Sequence, residues 1–266
     1  MDLTFAAIVN HVARKLGVDL SAYRESYLIR RIEYRMKMLN VGNVHDYYRL
    51  LKNSEEEVRE LLNVITINVT EFMRDVTPFE YLRKVVIPEI ARRKERLGSR
   101  MIRIWSAGCA CGEEPYSIAI CALEELNGWQ VSIYATDIDE FCLEKARKGV
   151  YSAKQLAKLE PSIVEKYFEK VPGGYGVRDF VKRCVRFKRH DLTTEPPVSR
   201  HFDIVFCRNV MIYFNERQKE KVVRDFYEAL SSGGYLFIGK SETLPEKAKG
   251  LFECVNVRDK VYRKVS

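Results

Sequence analysis

Two adjacent carboxylates, Glu113 and Glu114, follow a run of small residues in "IWSAGCACGEEPYSIA", Ile104 to Ala119. Ala107, Gly108, Ala110 and Gly112 let the chain turn tightly and come close to a ligand. The loop is neither G-x-G-x-x-G nor a phosphate loop with Gly-Lys-Ser/Thr. Carboxylates directly behind it would repel a pyrophosphate and suit a ligand carrying an ammonium or a sulfonium. Asp137, in "ATDIDE", lies about 30 residues past Gly108, where an acid typically binds ribose hydroxyls. Asp139 is its competitor and is expected to cap the following helix. A small-residue loop, a ribose acid and no phosphate grip point to S-adenosylmethionine, with a generic nucleotide site as the open alternative. Cys109 and Cys111 form a C-x-C with no second pair nearby, so no metal is expected. No histidine is close in sequence to activate a thiol, and both cysteines read as small residues under a cofactor.

These groups need a frame. From about Met101 short apolar runs alternate with helical stretches. The strands are "MIRIWSA", "VSIYATD", "VRFKRHD", "FDIVFCR" and "GYLFIGK"; "EEPYSIAICALEEL", "EFCLEKARKG" and "NERQKEKVVRDFYEAL" are helices between them. The alternation predicts an α/β fold with a mostly parallel sheet. "FECVNVRDKVYRKV" reads as an antiparallel hairpin at its edge. "YFEKVPGGYGVRDFVKRCVRF" has a Pro-Gly-Gly turn between alternating runs and reads as a small antiparallel β insertion, about residues 167–184.

Residues 1–67 carry apolar residues at helical spacing in four segments, punctuated by Gly17 and Gly42, with Ser54 as an N-cap. They predict a small all-α domain. Residues 68–76 are then a linker contributing to the active site, and residues 77–266 the α/β domain.

The chain has 266 residues, room for one or two domains at roughly 100–200 each. No apolar run approaches the ~18 residues of a membrane helix. The first residues read as an amphipathic helix, not a secretory signal. Seven cysteines without a regular framework suit a reducing cytosol, so a cytoplasmic location is expected. A net charge of +8 favours an acidic partner, nucleic acid or protein.

Six motifs in order carry a resemblance: "NVTEFMRD" from Asn68, "SAGCACGEEPYSIA" from Ser106, "ATDID", "RHDL" at His190 to Leu192, "CRNVMIYF" from Cys207 and "GYLFIGKSETL" from Gly234. Over almost the whole chain the sequence resembles the chemoreceptor glutamate methyltransferases of chemotaxis, the CheR family. The resemblance implies a helical N-domain, a Rossmann-like class I methyltransferase domain and the β insertion, which in the family can dock a receptor tail. It implies S-adenosyl-L-methionine as methyl donor, S-adenosyl-L-homocysteine as product, and receptor glutamates as acceptors. Carried over by motif, Asn68, Thr70 and Arg74 line the cofactor and substrate side, beside Ala107 and Gly108. Glu114 meets the methionine ammonium, Asp137 the ribose, and Asp191 and Leu192 flank the adenine. Arg208 and Asn209 close the site below Tyr213. The family commonly has Ser or Thr at Cys111, Phe at Met73 and often His at Lys240.

A glutamate carboxylate is ionised near neutral pH, with a reference pKa of about 4.3, so the implied reaction needs no general base. Arg74 and Tyr213 are the expected catalytic residues, one holding the acceptor carboxylate and one giving it a directional hydrogen bond. On a helical wheel Leu28, Ile32, Met36 and Leu39 share one face, and Arg30, Arg31, Tyr34 and Lys37 lie on the other as a candidate docking surface. The expected partner is the cytoplasmic domain of membrane-bound chemoreceptors, whose glutamate-bearing helices are acidic. The protein itself is expected to be a monomer, not membrane-embedded and not a nucleic-acid binder. A nucleic-acid methyltransferase is one competing reading, but "CRNVMIYF" replaces the Asn/Asp-Pro-Pro-aromatic motif such enzymes often carry. The other is a non-catalytic module that senses S-adenosylmethionine.

Overall fold

The computed structural model describes residues 3–66 and 68–265. The expected domain edge at residue 67 lies outside the described residues. The chain forms two compact units. The first holds the residues up to Asn68 together with Tyr213–Lys219, and the second holds Val69–Ile212 and the chain from Glu220 on.

In the first unit the periodic segments fold as α1 (Leu3–Leu16), α2 (Glu25–Met38), α3 (Val44–Asn53) and α4 (Glu55–Thr66). Their ends follow local chemistry. Gly17 takes a left-handed φ of 62° after α1. The Asn43 side chain accepts from His45 N at 2.8 Å ahead of α3, and Ser54 Oγ accepts from Glu57 N at 3.1 Å ahead of α4. Helix α1 packs on α3 and α4, and α2 on α4, burying Ile8, Val12, Ile32, Tyr47, Leu61 and Ile65. Leu39, expected on the buried face of α2, is 37% exposed because it is the C-cap residue, past the last turn. Tyr213–Lys219 reach this unit from far along the chain. Tyr23 and Phe214 form an antiparallel bridge, and Arg24 N donates to Tyr213 O at 3.1 Å.

One buried ion pair holds the bundle. Arg35 donates to both oxygens of Glu57 at 2.8 Å, and Tyr47 Oη donates to Glu57 Oε1 at 2.7 Å. The side chains of Arg35 and Glu57 are only 14% and 7% exposed.

The second unit begins with a helical stretch, α5 (Thr77–Tyr81), a π-turn at Leu82–Val86 and α6 (Ile87–Arg96). Pro88 in the first turn of α6 cannot donate to the preceding turn, and the π-turn lies directly ahead of it. The elements then run β1 (Met101–Ala107), α7 (Glu113–Glu125), β2 (Gln130–Asp137), α8 (Glu140–Lys148), β3 (Val150–Tyr151), α9 (Ala153–Leu156) and α10 (Pro161–Tyr167). They continue as β4 (Phe168–Val171), β5 (Gly174–Val177), α11 (Asp179–Lys182), β6 (Val185–Arg189), β7 (Phe202–Cys207), α12 (Glu216–Ala229), β8 (Leu230–Ile238), β9 (Phe252–Asn256) and β10 (Val261–Lys264). The main sheet has the order β6-β2-β1-β7-β8-β10-β9. Its first five strands are parallel, and the β9–β10 hairpin closes one edge antiparallel. Strand β7 is buried throughout, as a central parallel strand with both faces covered should be. The strand order reverses between β1 and β7, the place where open α/β sheets bind ligands.

Within the expected insertion β4 and β5 belong to a second sheet, β3-β5-β4, but β3 joins it from outside the expected bounds and residues 179–182 are helical. Pro172 and Gly173 turn β4 into β5, with Gly173 at φ 89°. A Cβ on Gly174 would stand 2.3 Å from the Tyr151 carbonyl oxygen, so β3 can lie on β5 only with glycine there.

Removing the charge in the first unit while leaving Arg35 buried should be costly. We expect Glu57→Ala to destabilise this unit by about 3–5 kcal/mol in urea unfolding. A loss below ~1 kcal/mol would mean that the guanidinium regains water instead.

Candidate functional site

The loop after β1 and the end of β2 are tied by one carboxylate. Gly108 N and Cys109 N donate to Thr136 O at 2.8 and 2.9 Å. Asp137 Oδ2 accepts from Ala110 N at 2.8 Å, and its Oδ1 from Asp139 N at 3.0 Å. Asp139 in turn caps α8 through Phe141 N at 2.9 Å, which is the part expected of it. Asp137 is 8% exposed, and burial pushes its carboxyl up to about 6. The main-chain N–H donors oppose that shift and hold the charged form.

Two glycines of this loop are required by the chain's own packing. A Cβ on Gly108, at φ 78°, would stand 2.4 Å from Val210 Cγ2. One on Gly112 would stand 2.8 Å from Ala146 Cβ and from Tyr151 Oη. The two cysteines differ. Cys109 is buried, whereas Cys111 Sγ lies 2.9 Å from Cys142 Sγ on α8. Among the described residues no cluster of three or more His, Cys, Asp or Glu is arranged to hold a metal.

The paired carboxylates behind the loop part company. Glu113 turns to α9, where Gln155 Nε2 donates to its Oε1 at 3.0 Å. Glu114 stays at the strand ends. Ser106 Oγ donates to its Oε1 at 2.8 Å, and Arg208 Nη1 lies 3.8 Å from its Oε2. Burial raises the Glu114 carboxyl, and the charges of Arg208 and then Arg74 oppose the rise. Arg208 also donates to Asp75 Oδ2 at 2.6 Å and lies 5.6 Å from the Phe79 ring centroid. Its side chain is 1% exposed. The fold thus gathers Arg74, Asp75, Ser106, Glu114 and Arg208.

Arg74 comes from a segment pinned at several points. Phe72 is buried edge-on against Tyr151 and Phe168, and Met73 N donates to Ser117 Oγ at 2.9 Å. Arg74 Nη1 donates to Val69 O at 2.9 Å. Lys240 donates to Thr77 Oγ1 at 3.0 Å and lies 3.7 Å from Asp259 Oδ1. It secures the start of α5 behind this segment. Thr70 is half-buried.

Past β6, Asp191 and Leu192 are buried, and Asp191 Oδ1 accepts from Thr193 N at 2.8 Å. The neighbouring His190 stacks edge-on against Trp105 and bonds Pro196 O, a structural rather than catalytic setting. After β7, Asn209 adopts φ 60°. Arg208 Nε and Asn209 Oδ1 are buried without a hydrogen-bond partner among the described residues. Asn68 and Tyr213 belong to the first unit, where the Tyr213 ring lies 4.9 Å from that of Tyr27.

Sequence reasoning missed Asp75, Ser106 and Glu242. Each lies inside a quoted motif, but only the fold shows what it touches. Glu242 Oε2 accepts from Gly239 N at 2.6 Å and Asn209 N at 3.0 Å, and its Oε1 from Val210 N and Ile212 N at 3.1 Å each.

Carboxylates able to receive an ammonium and ribose hydroxyls, and two unsatisfied buried polar atoms, lie along the carboxyl ends of a parallel sheet at its switch point. This set fits S-adenosylmethionine and defines a class I methyltransferase domain. Comparison with known proteins agrees. Residues 68–261 match the family model described as CheR methyltransferase, SAM binding domain, and residues 3–66 the one described as CheR methyltransferase, all-alpha domain. The chain is 33% identical over 251 residues to chemotaxis protein methyltransferase 2 of Vibrio cholerae, covering 91% of this chain and 86% of that one. It is 37% identical over 230 residues to the chemotaxis protein methyltransferase of Vibrio parahaemolyticus, covering 83% and 82%. The chain belongs to the CheR methyltransferase family, and S-adenosylmethionine is its cofactor. Among the described residues no helix is long and apolar enough to cross a membrane.

The Asp137 shift has two consequences. A carboxyl raised in the folded state favours folding at low pH, and that contribution is lost as pH rises from 3.8 through about 6. Cofactor binding runs the other way, since ribose hydroxyls need the ionised acceptor. Affinity for S-adenosylhomocysteine should be flat well above pH 6 and fall as pH drops through about 6. Asp137→Asn should bind at least about tenfold more weakly at pH 7.5, from a loss of ~1.5–3 kcal/mol per charged hydrogen bond. Calorimetric titration across pH checks both. Unchanged affinity in the variant would remove Asp137 from the site.

Proposed function

We propose that this protein methylates glutamate side chains of chemoreceptors, giving glutamyl methyl esters. The observation that carries the reading is Glu114 at the strand ends with Arg208 3.8 Å from its Oε2, while Arg208 also holds Asp75, the residue next to Arg74. An arginine there can hold an acceptor carboxylate with two parallel hydrogen bonds. S-adenosylmethionine, when bound, supplies a methyl group on a positive sulfonium. The acceptor oxygen is already ionised, so no proton has to be removed. His190, the histidine adjoining this site, is held by Pro196 O and Trp105, which suits a reaction without a general base.

The residues divide the work. Glu114 receives the ammonium of the cofactor, Asp137 its ribose, and Asp191 and Leu192 flank its adenine. Ala107 and Gly108 line the loop side, Asn68 and Thr70 the linker side, and Arg208 and Asn209 the turn after β7. Arg74 holds the far oxygen of the acceptor, because a tight grip on the attacking oxygen would weaken it as a nucleophile. Tyr213 gives the acceptor one directional hydrogen bond. Alignment supplies most of the rate, for which ~7–11 kcal/mol is attainable.

The partner is an acidic receptor helix, met by α2. Arg30 and Lys37 are exposed and Tyr34 is 50% exposed. Arg31 is the exception among the four, since its guanidinium lies 5.1 Å from the Tyr27 ring centroid. The receptors are membrane-bound, and the protein works from the cytoplasm as a monomer.

The direct test is incubation with labelled S-adenosylmethionine and a receptor cytoplasmic domain, then mild alkali. A glutamyl methyl ester releases labelled methanol, whereas label that stays bound to the receptor sinks the reading. Tyr213→Phe should lower kcat and kcat/KM together, roughly tenfold, and leave S-adenosylhomocysteine affinity unchanged, as for an interaction made in the transition state. Wild-type turnover would make Tyr213 a packing residue of the first unit.

Reversing Arg30 and Lys37 to Glu should slow receptor methylation at low receptor concentration without changing cofactor affinity. The wild-type rate should also fall with salt, because exposed charges are screened over about 8–10 Å at moderate ionic strength, and the double reversal should lose that dependence. Equal rates and equal salt slopes would mean that the basic face of α2 is merely solvated.

A further inference from the structure

Glu242 lies four residues past β8, is 4% exposed, and takes its four N–H donors from two separate pieces of chain. Gly239 N–H comes from its own loop, and the N–H groups of Asn209, Val210 and Ile212 come from the turn after β7. Among the described residues no lysine or arginine pairs with it. A nest of main-chain N–H groups holds its charge in place of a cation. Burial raises the carboxyl, and the N–H groups of Gly239, Asn209 and Ile212 draw it back. The approach is tight enough to dictate Gly239, where a Cβ would stand 2.8 Å from Glu242 Oε2 and from Asn209 N.

What the turn presents depends on this grip. Arg208 leaves its start toward Glu114 and Asp75, and Asn209 is held at φ 60°. The Val210 side chain fills the space over Gly108. Without an acceptor at Glu242 the N–H groups of Asn209, Val210 and Ile212 would lose the carboxylate that holds them, leaving the turn only the Val210 contact with Gly108 and the Arg208 ion pairs.

We propose that Glu242 is a positioning residue for the cofactor: it sets the 208–212 turn against the β1 loop before the cofactor arrives, and so places Arg208 and Asn209. The proposal rests on the assignment of those two residues to the cofactor, not on the identity of the methyl acceptor. Receptor methylation is therefore absent from its test, and a failure of the glutamate reading would leave the test's outcome unchanged.

The test compares Glu242→Gln with Asp203→Asn. Asp203 is equally buried, accepts from Lys94 at 2.6 Å and Arg103 N at 2.8 Å, and lies near the opposite end of β7. A Gln keeps the size of Glu242, but its amide nitrogen must face two of the N–H donors in either orientation. S-adenosylhomocysteine affinity should fall roughly tenfold or more in Glu242→Gln. In Asp203→Asn the melting temperature should fall and the affinity stay within about twofold of wild type. Equal affinities for Glu242→Gln and wild type, or equal losses in both variants, would overturn the proposal. Amide hydrogen exchange on the wild-type protein gives a second reading that needs no variant to fold. The N–H groups of Asn209, Val210, Ile212 and Gly239 should be protected without ligand. Fast exchange that slows only when S-adenosylhomocysteine binds would show that the cofactor organises the turn, and Glu242 does not.

Discussion

At the switch point of the sheet the loop after β1 and the turn after β7 touch, and they can do so only because residue 108 has no Cβ. Val210 occupies the space that any other residue at position 108 would need. The contact decides where two sets of groups stand relative to each other. On one side are Ala110 and the acid that holds it, Asp137. On the other are Arg208 and Asn209, with Glu242 behind them. Each loop is therefore fixed twice, by contact with its neighbour and by a buried carboxylate that accepts its N–H groups. A carboxylate suits this task better than a neutral acceptor. Its hydrogen bonds are charge-assisted, and two oxygens can serve several donors at once.

Arg208 carries the second constraint. A buried guanidinium is tolerable only when paired, since desolvation of an unpaired charge costs several kcal/mol. Its partners, Asp75 and Glu114, come from the segment before α5 and from the first turn of α7. Three stretches far apart in sequence are thereby bound to one another. The segment 69–76 gains a fixed course that its own sequence does not dictate, being too short and irregular for a helix or strand. Met73 N on Ser117 and Lys240 on Thr77 complete that course.

The fold was legible in the sequence wherever periodicity ran long enough. The four N-terminal helices and the five parallel strands each show a clear apolar period, and Ser54 and Asp139 cap helices as their positions suggested. Strand β3 was not legible, because two residues carry no period and what admits it is the missing Cβ of Gly174. The exposure of Leu39 was missed because the wheel was extended one residue past the end of α2. At the candidate site residue type did not reveal direction. Glu113 and Glu114 are neighbours of one type, yet helical geometry sends one to Gln155 and the other to Ser106. The glycines of the β1 loop were read only as room for a ligand, and nothing in the sequence signalled that Gly108 and Gly112 also admit internal contacts. Glu242 lacked a clear local signal, since three of its four partners lie about 30 positions away.

Backbone conformation shows where the two loops and the segment before α5 are under load. Met73, Asp75, Val76, Ala110 and Asn209 all have φ between 38° and 66°, a region that L side chains occupy at a cost of about 1–3 kcal/mol each. None is a glycine, so the strain is not removed by residue choice. It persists because four of the five positions are held from outside: Met73 by Ser117, Asp75 by Arg208, Ala110 by Asp137 and Asn209 by Glu242. Three of those four holders are charged and buried, which makes their grip strong and also makes it depend on their protonation or pairing. Strain spread over the surface would average out in a family of loops. Strain gathered beside one set of carboxylates and arginines costs stability in order to keep polar groups in fixed places. Groups held in fixed places are what rate enhancement by alignment requires.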